Sequence, residues 1–203
     1  MIEIRPADPS DAAALVSLAA EVGREAGGWL LTTEAWRPVS EERRYLKAAR
    51  RHPDAAVLVA TDDERIVARL SLARDPHPAS AHVADLGLMV AASYRRRGVG
   101  TALLEAAVGW ARHVDVRKLE LHVFVWNEPA IRLYEGFGFE REGLRRGHYL
   151  RDGQPVDALL MAYHLPREPG VPPSPMPWSG TAASPTRSEG RRAHRLRPFR
   201  PPP

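Results

Sequence analysis

Residues Ala84 to Arg112 read ADLGLMVAASYRRRGVGTALLEAAVGWAR, and the order of chemistry along that stretch sets the architecture. Ala84 to Val90 is an apolar run of strand length. Ala91, Ala92 and Ser93 lead out of it into Tyr94-Arg-Arg-Arg-Gly-Val-Gly100, and from Thr101 onward Leu103, Leu104, Ala107, Val108 and Ala111 recur at helical spacing. The segment therefore reads strand, glycine-bearing loop, helix. The first amides of a helix lack intrahelical partners and carry the positive end of its dipole, so such a turn attracts an anion. Gly98 and Gly100 let the backbone come close to a phosphate and adopt positive φ without steric cost, while Arg95, Arg96 and Arg97 add positive charge at the mouth. Together these residues describe a diphosphate cradle.

Two common phosphate loops do not fit. A Walker loop requires Lys after its last Gly, whereas Thr101 follows Gly100; a dinucleotide fingerprint requires Gly where Leu103 stands. Arg95 through Gly98 to Gly100 instead matches [QR]-x-x-G-x-[GA] and resembles the acyl-CoA pyrophosphate loop of the GNAT (GCN5-related) N-acetyltransferases. Taken alone, six residues are also compatible with a basic surface turn.

The chain of 203 residues is 44% hydrophobic, enough for one domain, or one domain plus a tail. It has no cysteine, which excludes a disulfide framework, a thiolate metal site and a cysteine nucleophile. No metal centre is expected. Met1-Ile-Glu-Ile-Arg-Pro6 lacks an apolar signal region, and no run approaches the roughly 18 apolar residues of a membrane span. A cytoplasmic protein that does not enter a membrane is the expectation. The net charge of +4 comes from the end of the chain, where seven Arg and two Glu lie beyond Pro166; the remainder is almost neutral.

Ile2 to Arg5 alternates like a strand, and Asp8-Pro9 introduces an Ala/Leu helix from Ala12 to Val22 that stops near Gly23. Gly27 to Pro38 mixes turn residues with Trp29, Leu30, Leu31 and Trp36, as in a loop folded over something. A second helix is expected after Ser40 as N-cap, running to Arg51 with Tyr45, Leu46 and Ala49 inward. Ala56–Thr61 and Ile66–Ala73 form a hairpin around Asp62-Asp-Glu-Arg65. Lys118 to Trp126 alternates, with Leu119, Leu121, Val123 and Val125 on one face and Glu120, His122, Phe124 and Trp126 on the other. Asn127 caps a short helix from Pro129 to Tyr134; Glu135-Gly-Phe-Gly-Phe139 turns the chain into another strand, and Val156 to Leu165 is the last. The order β-α-α-β-β-β-α-β-α-β-β implies an α/β (α+β) fold, a mixed sheet with helices on both faces and one parallel crossover at its centre.

The string from Leu119 through Asn127, Ala130, Ile131, Leu133 and Tyr134 to Phe137-Gly138-Phe139 resembles the other half of the same family's CoA site. With two motifs in the right order, residues 1–165 are identified as a GNAT acetyltransferase domain. The resemblance implies a sheet of six or seven strands splayed at its centre and acetyl-CoA as co-substrate. It also implies that Leu88, Met89 and Val90 pair with the pantetheine arm and that the amides from Arg96 through Gly98, Val99 and Gly100 to Thr101 take the pyrophosphate. Asn127 then contacts the pantetheine region, and Ala130 with Leu133 lines the adenosine side. Tyr149 to Met161 resembles the subgroup that acetylates free amino acids and related small amines. The implied function is transfer of acetyl to a primary amine of a small molecule; a protein N-terminus or lysine, or a non-catalytic acyl-CoA-binding module, is the alternative.

An amine must be neutral to attack a thioester, yet an α-amino group has a pKa of roughly 7.7–8.0, so a base or an electronegative site is needed. The departing thiolate needs an acid. Tyr134, protonated at neutral pH and at the family's position for the acid, suits that role, or is a core tyrosine. Asp85 and His122 are the candidates for the base, acting directly or through water, or are ordinary strand residues. Trp29, Tyr149 and Asp157 are candidates for the amine site; Tyr149 and Asp157 also fit a simple cross-hairpin pair. From Pro166 to Pro203 the chain holds 11 of its 19 prolines, so a disordered tail is expected. Its arginines suit either a solubilising extension or contact with nucleic acid, the one route by which nucleic acid enters as a partner. A homodimer is left open.

Overall fold

The computed structural model describes residues 1–31 and 36–166, so the tail expected beyond Pro166 lies outside the described residues. The element order is the expected one: β1 (Ile2–Pro6), α1 (Ala12–Gly23), α2 (Val39–Ala49), β2 (Ala55–Asp62), β3 (Arg65–Arg74), β4 (Val83–Val90), α3 (Val99–His113), β5 (Lys118–Phe124), α4 (Glu128–Phe137), β6 (Glu140–Arg151) and β7 (Gln154–His164). All seven strands join one mixed sheet in the order β1-β2-β3-β4-β5-β7-β6. No helix among the described residues is long and apolar enough to cross a membrane.

Each face of the sheet has its own core. Leu15, Leu18, Val22 and Leu46 of α1 and α2 pack on Val57, Val59, Ile66 and Met89. On the opposite face Leu103, Leu104, Ala107 and Ile131 of α3 and α4 pack on Leu70, Leu86, Leu119, Leu121 and Val123. Alternation along β4 and β5 thus assigns Leu86, Leu88 and Val90 to the α3/α4 side, and Met89 to the α1/α2 side.

Several boundaries differ from expectation by a residue or more, and three have a visible physical cause. Helix α2 is entered at Pro38 and not Ser40: the proline already has the extended cap conformation, and its carbonyl accepts from the amides of Glu41 and Glu42 at 2.9 Å. Glu42 accordingly joins Leu46 and Ala49 on the buried stripe, with Tyr45 only half-buried. Strand β5 stops at Phe124, because the amide of Asn127 bonds back to the Phe124 carbonyl at 2.9 Å and leaves Val125 and Trp126 in a turn. Helix α4 continues past Tyr134 to Phe137, where Gly138 ends it in the left-handed conformation.

The feature that positions the site is the junction of β4 and β5. Only three parallel pairs join them: Val83 with Lys118, Ala84 with Leu119 and Asp85 with Glu120. Strand β4 remains paired to β3 as far as Val90, and β5 remains paired to β7 as far as Phe124. From Leu86 and Leu121 onward the two strands part. The sheet is splayed at its centre, as the family resemblance implied.

Candidate active site

The loop at the top of the splay has a geometry that could hold an anion. Gly98 caps α3 with φ +79° and Arg96 has φ +60°, so two left-handed residues fold the amides into a concave turn. The first helical bond is Ala102 N–H to Gly98 C=O at 3.0 Å, and no backbone carbonyl among the described residues takes the amides from Arg96 to Thr101. A Cβ on Gly98 would meet nothing within 4 Å, so backbone conformation is what calls for glycine there. Gly100 answers a different need: a Cβ would lie 2.8 Å from Cδ2 of Leu133, so its bareness lets α3 and α4 approach. Val99 contributes its amide only, its side chain being buried in the core.

The three arginines divide. Arg95, expected to add charge at the mouth, is a strap: its guanidinium makes a fork with Glu25 at 2.6 and 2.7 Å, and its Nε donates to the Val90 carbonyl at 3.0 Å. Arg97 lies over the Tyr94 ring, 4.9 Å from its centroid. Arg96 is exposed and lines the cavity described next.

A cavity of about 680 Å³ runs from this loop into the splay. It is lined by Leu88, Met89 and Val90 of β4, by Gly98, Gly100 and Thr101, and by Asn127, Ala130, Leu133 and Tyr134. The side chain of Asn127 accepts from the Ala130 amide at 3.3 Å, so it caps α4 while standing in the cavity wall. Tyr134 is 6% exposed, packs against Phe139, and has no hydrogen-bond partner among the described residues; burial pushes its phenol far above the ordinary value. It holds its proton throughout the physiological range.

His122 lines the same cavity. Its Nδ1 is 2.7 Å from the Tyr149 hydroxyl, and its Nε2 is buried without a partner among the described residues. Burial, then the electrostatic influence of Arg145 and His148, lowers its pKa, against a smaller opposite pull from Glu120. It is neutral at pH 7 and able to accept a proton. Asp85 does not line the cavity. It closes the β4–β5 ladder opposite Glu120, where partial enclosure and then the charges of Glu120 and Asp75 raise its carboxyl above the ordinary range. Glu120 itself pairs with Lys118 at 3.0 Å.

Over the α1/α2 side of the splay lies the loop holding Trp29. Trp29 Nε1 donates to Glu25 at 2.8 Å, Trp126 Nε1 donates to the Gly27 carbonyl at 3.1 Å, and Arg151 donates to the Gly28 carbonyl at 2.7 Å. Trp29 lines the cavity and Tyr149 reaches it through His122. Asp157 is turned elsewhere: its carboxylate accepts the Gly147 amide at 2.7 Å and holds the irregular stretch of β6 between Arg145 and Tyr149.

One group was not singled out from the sequence. Arg69 of β3 lines the cavity beside Trp36 at 5% exposure, and Glu42 of α2 is buried behind it at 0%. The available signals were one charge inside the apolar run of β3 and one acid on the inward stripe of α2.

The profile of the acetyltransferase (GNAT) family matches residues 13–139. The L-amino acid N-acetyltransferase AaaT of Escherichia coli is 40% identical over 114 residues, covering 54% of this chain and 68% of that protein. An N-alpha-acetyltransferase of Sulfurisphaera tokodaii is 42% identical over 85 residues, 41% of this chain and 48% of the relative, so the chain spans about half the length of that protein. YncA of Salmonella typhimurium, solved with its cofactor acetyl-CoA, superposes with a TM-score of 0.74 over 87% of this chain and 99% of its own; at 18% identity that likeness concerns the fold.

Proposed function

The chain belongs to the acetyltransferase (GNAT) family and is an acetyl-CoA-dependent N-acetyltransferase, and from that premise we propose that its acceptor is the primary amine of a free amino acid or a closely related small molecule. The observation that carries the reading is that one cavity collects the anion-binding turn, the parted edges of β4 and β5, the Tyr134 phenol and the His122 imidazole. Similarity to an L-amino acid N-acetyltransferase over 114 residues supports the acceptor class.

Acetyl-CoA supplies an acyl thioester. The amides from Arg96 to Thr101 hold its diphosphate, and the β4 edge at Leu88, Met89 and Val90 orients the arm beside Asn127, with Ala130 and Leu133 on the far side. His122, in the tautomer that donates Nδ1–H to the Tyr149 oxygen, presents Nε2 as acceptor for the proton of the incoming amine. Tyr134 donates its proton to the departing sulfur; burial keeps the phenol protonated at neutral pH. Asp85 lies outside the cavity and takes no direct part. Trp29 closes the acceptor side.

The test is calorimetry with acetyl-CoA, followed by a thiol-release assay across free amino acids, simple amines and short peptides. Heat on binding and release with free amino acids are expected. Release only with peptides would replace the acceptor class with protein N-termini, and binding without release from any amine would make the chain a carrier or sensor.

A further inference from the structure

Strand β3 carries a single charge within Val67-Ala-Arg69-Leu-Ser-Leu72. Taking a guanidinium out of water is costly unless close, hydrogen-bonded anions offset it. Arg69 has little of that compensation. Its Nη2 is 3.7 Å from Oε1 of Glu42, too long for a hydrogen bond, and both its Nε and that Oε1 are buried without hydrogen-bond partners among the described residues. The other Glu42 oxygen is already engaged, accepting from Trp36 Nε1 at 3.1 Å and lying 3.3 Å from Nε of Arg37. Burial outweighs the attraction of Glu42 and the smaller contribution of Tyr45, so the guanidinium holds its proton less tightly than usual. Two arginines thus share one carboxylate, and the cluster keeps one net positive charge.

That charge has an aromatic frame. The Arg69 guanidinium carbon lies 5.0 Å from the Trp36 ring centroid and 5.6 Å from that of Tyr45. Arg69, Ser71 and Trp36 line the cavity together with Gly87 and Met89, and Arg69 stands opposite Met89 in the β3–β4 register. A cation buried to 5% exposure in the cavity wall, with a donor that no described residue accepts from, suits an anion of fork geometry.

We propose that Arg69 is the specificity residue that receives the α-carboxylate of the acceptor, beside Trp36 and Ser71. The inference rests on the acceptor class proposed above. A carboxylate meets a guanidinium through two parallel charge-assisted hydrogen bonds, and in this partly desolvated wall it neutralises the surplus charge that Glu42 leaves. The α-amine, one carbon removed, then extends into the cavity toward the parted strands and His122. An acceptor without the carboxylate leaves Arg69 uncompensated, which sets the discrimination between an amino acid and its amide.

The experiment uses the full chain and measures kcat and KM for the standard L-amino acids, their carboxamides, and isopentylamine, the decarboxylated form of leucine. The wild-type protein is expected to prefer the acids by about 100-fold or more in kcat/KM. Arg69→Met is expected to abolish that preference through a higher KM, with kcat at saturation changed much less and acetyl-CoA affinity by calorimetry unchanged within about 2-fold. Because the single substitution leaves buried Glu42 with Arg37 as its remaining cation, the double variant Arg69→Met/Glu42→Gln removes both buried charges and guards against misfolding. Arg69→Lys, which keeps the charge but loses the fork, is expected to fall in between. If either methionine variant binds acetyl-CoA normally and still favours acids by the wild-type factor, the assignment is overturned. If the wild-type protein itself accepts amides as readily as acids, the acceptor class is wrong and the assignment falls with it; the two failures are read from different proteins.

Discussion

Replacing Tyr134 with Phe should separate turnover from stability. The hydroxyl makes no hydrogen bond to the described residues, while the ring is buried at 6% exposure against Phe139. Phe keeps the ring and its packing. A buried hydroxyl without a partner costs about 1–3 kcal/mol, and one that reaches water in a cavity costs less, so its removal should not destabilise the protein. The expected change is within about 1 kcal/mol, or about 2–4 °C in melting midpoint for a chain of this size. Turnover should behave differently. A positioned general acid contributes on the order of 10²- to 10⁴-fold, which at about 1.36 kcal/mol per decade corresponds to roughly 3–5 kcal/mol of barrier. The assay is thiol release under saturating acetyl-CoA and acceptor, beside a thermal melt and a calorimetric titration of acetyl-CoA. Turnover within about threefold of wild type, or a fall in melting midpoint well beyond the stated range, would refute the reasoning: the first result removes the acid role and the second makes Tyr134 structural.

Gly98→Ala forces a side chain onto φ +79°, at roughly 1–2 kcal/mol, so a loss of about 2–8 °C and weaker acetyl-CoA binding should appear together; a melt and titration identical to wild type would show that the turn does not depend on this glycine. His122 has a lowered pKa, so kcat/KM should fall on an acid limb centred below about 6.5, and His122→Gln should remove that limb. In stability terms the unfolded histidine takes up its proton first, so its contribution is present above about pH 6.5 and is lost as pH falls toward the folded value; a pH series of melts that rises on acidification through that window would contradict it. Glu25→Gln should weaken the Arg95 fork and the Trp29 contact at once, lowering the melting midpoint by about 2–4 °C for a loss of about 1 kcal/mol and raising KM for both substrates. A KM change confined to one substrate would mean the two loops are held independently.

The order of elements was legible because the signals are local. The helical spacing after Thr101, the alternation from Lys118 and the glycines before α3 each speak within a dozen residues. The turn before α3 followed from the same stretch, whereas the splay was implied only by the family resemblance. What could not be read is which charged side chain has a distant partner. Arg95 looked like its two neighbours, and only folding brings Glu25, 70 positions away, into a fork with it. Asp85 and His122 were placed on the correct strands, but alternation does not say where two strands part, so it could not tell that the cavity begins beyond Asp85. Asp157 was equally compatible with two roles, and its bond to Gly147 is made across an irregularity of β6 that composition does not announce. Arg69 and Glu42 are each a weak anomaly in an otherwise regular pattern; tertiary packing turns the two anomalies into one electrostatic centre.

The parted strands have a consequence for folding. A ladder that stops after three pairs leaves interior backbone edges whose natural completion is an outside molecule lying between them. Whatever fills that slot is bound by the native chain and not by the denatured one, so it raises the unfolding free energy by mass action, by about 2.7 kcal/mol at a hundred times its dissociation constant. The protein's thermal endurance is then a gauge of how much thioester surrounds it, and amide hydrogens on either side of the rift should exchange most slowly when that supply is abundant.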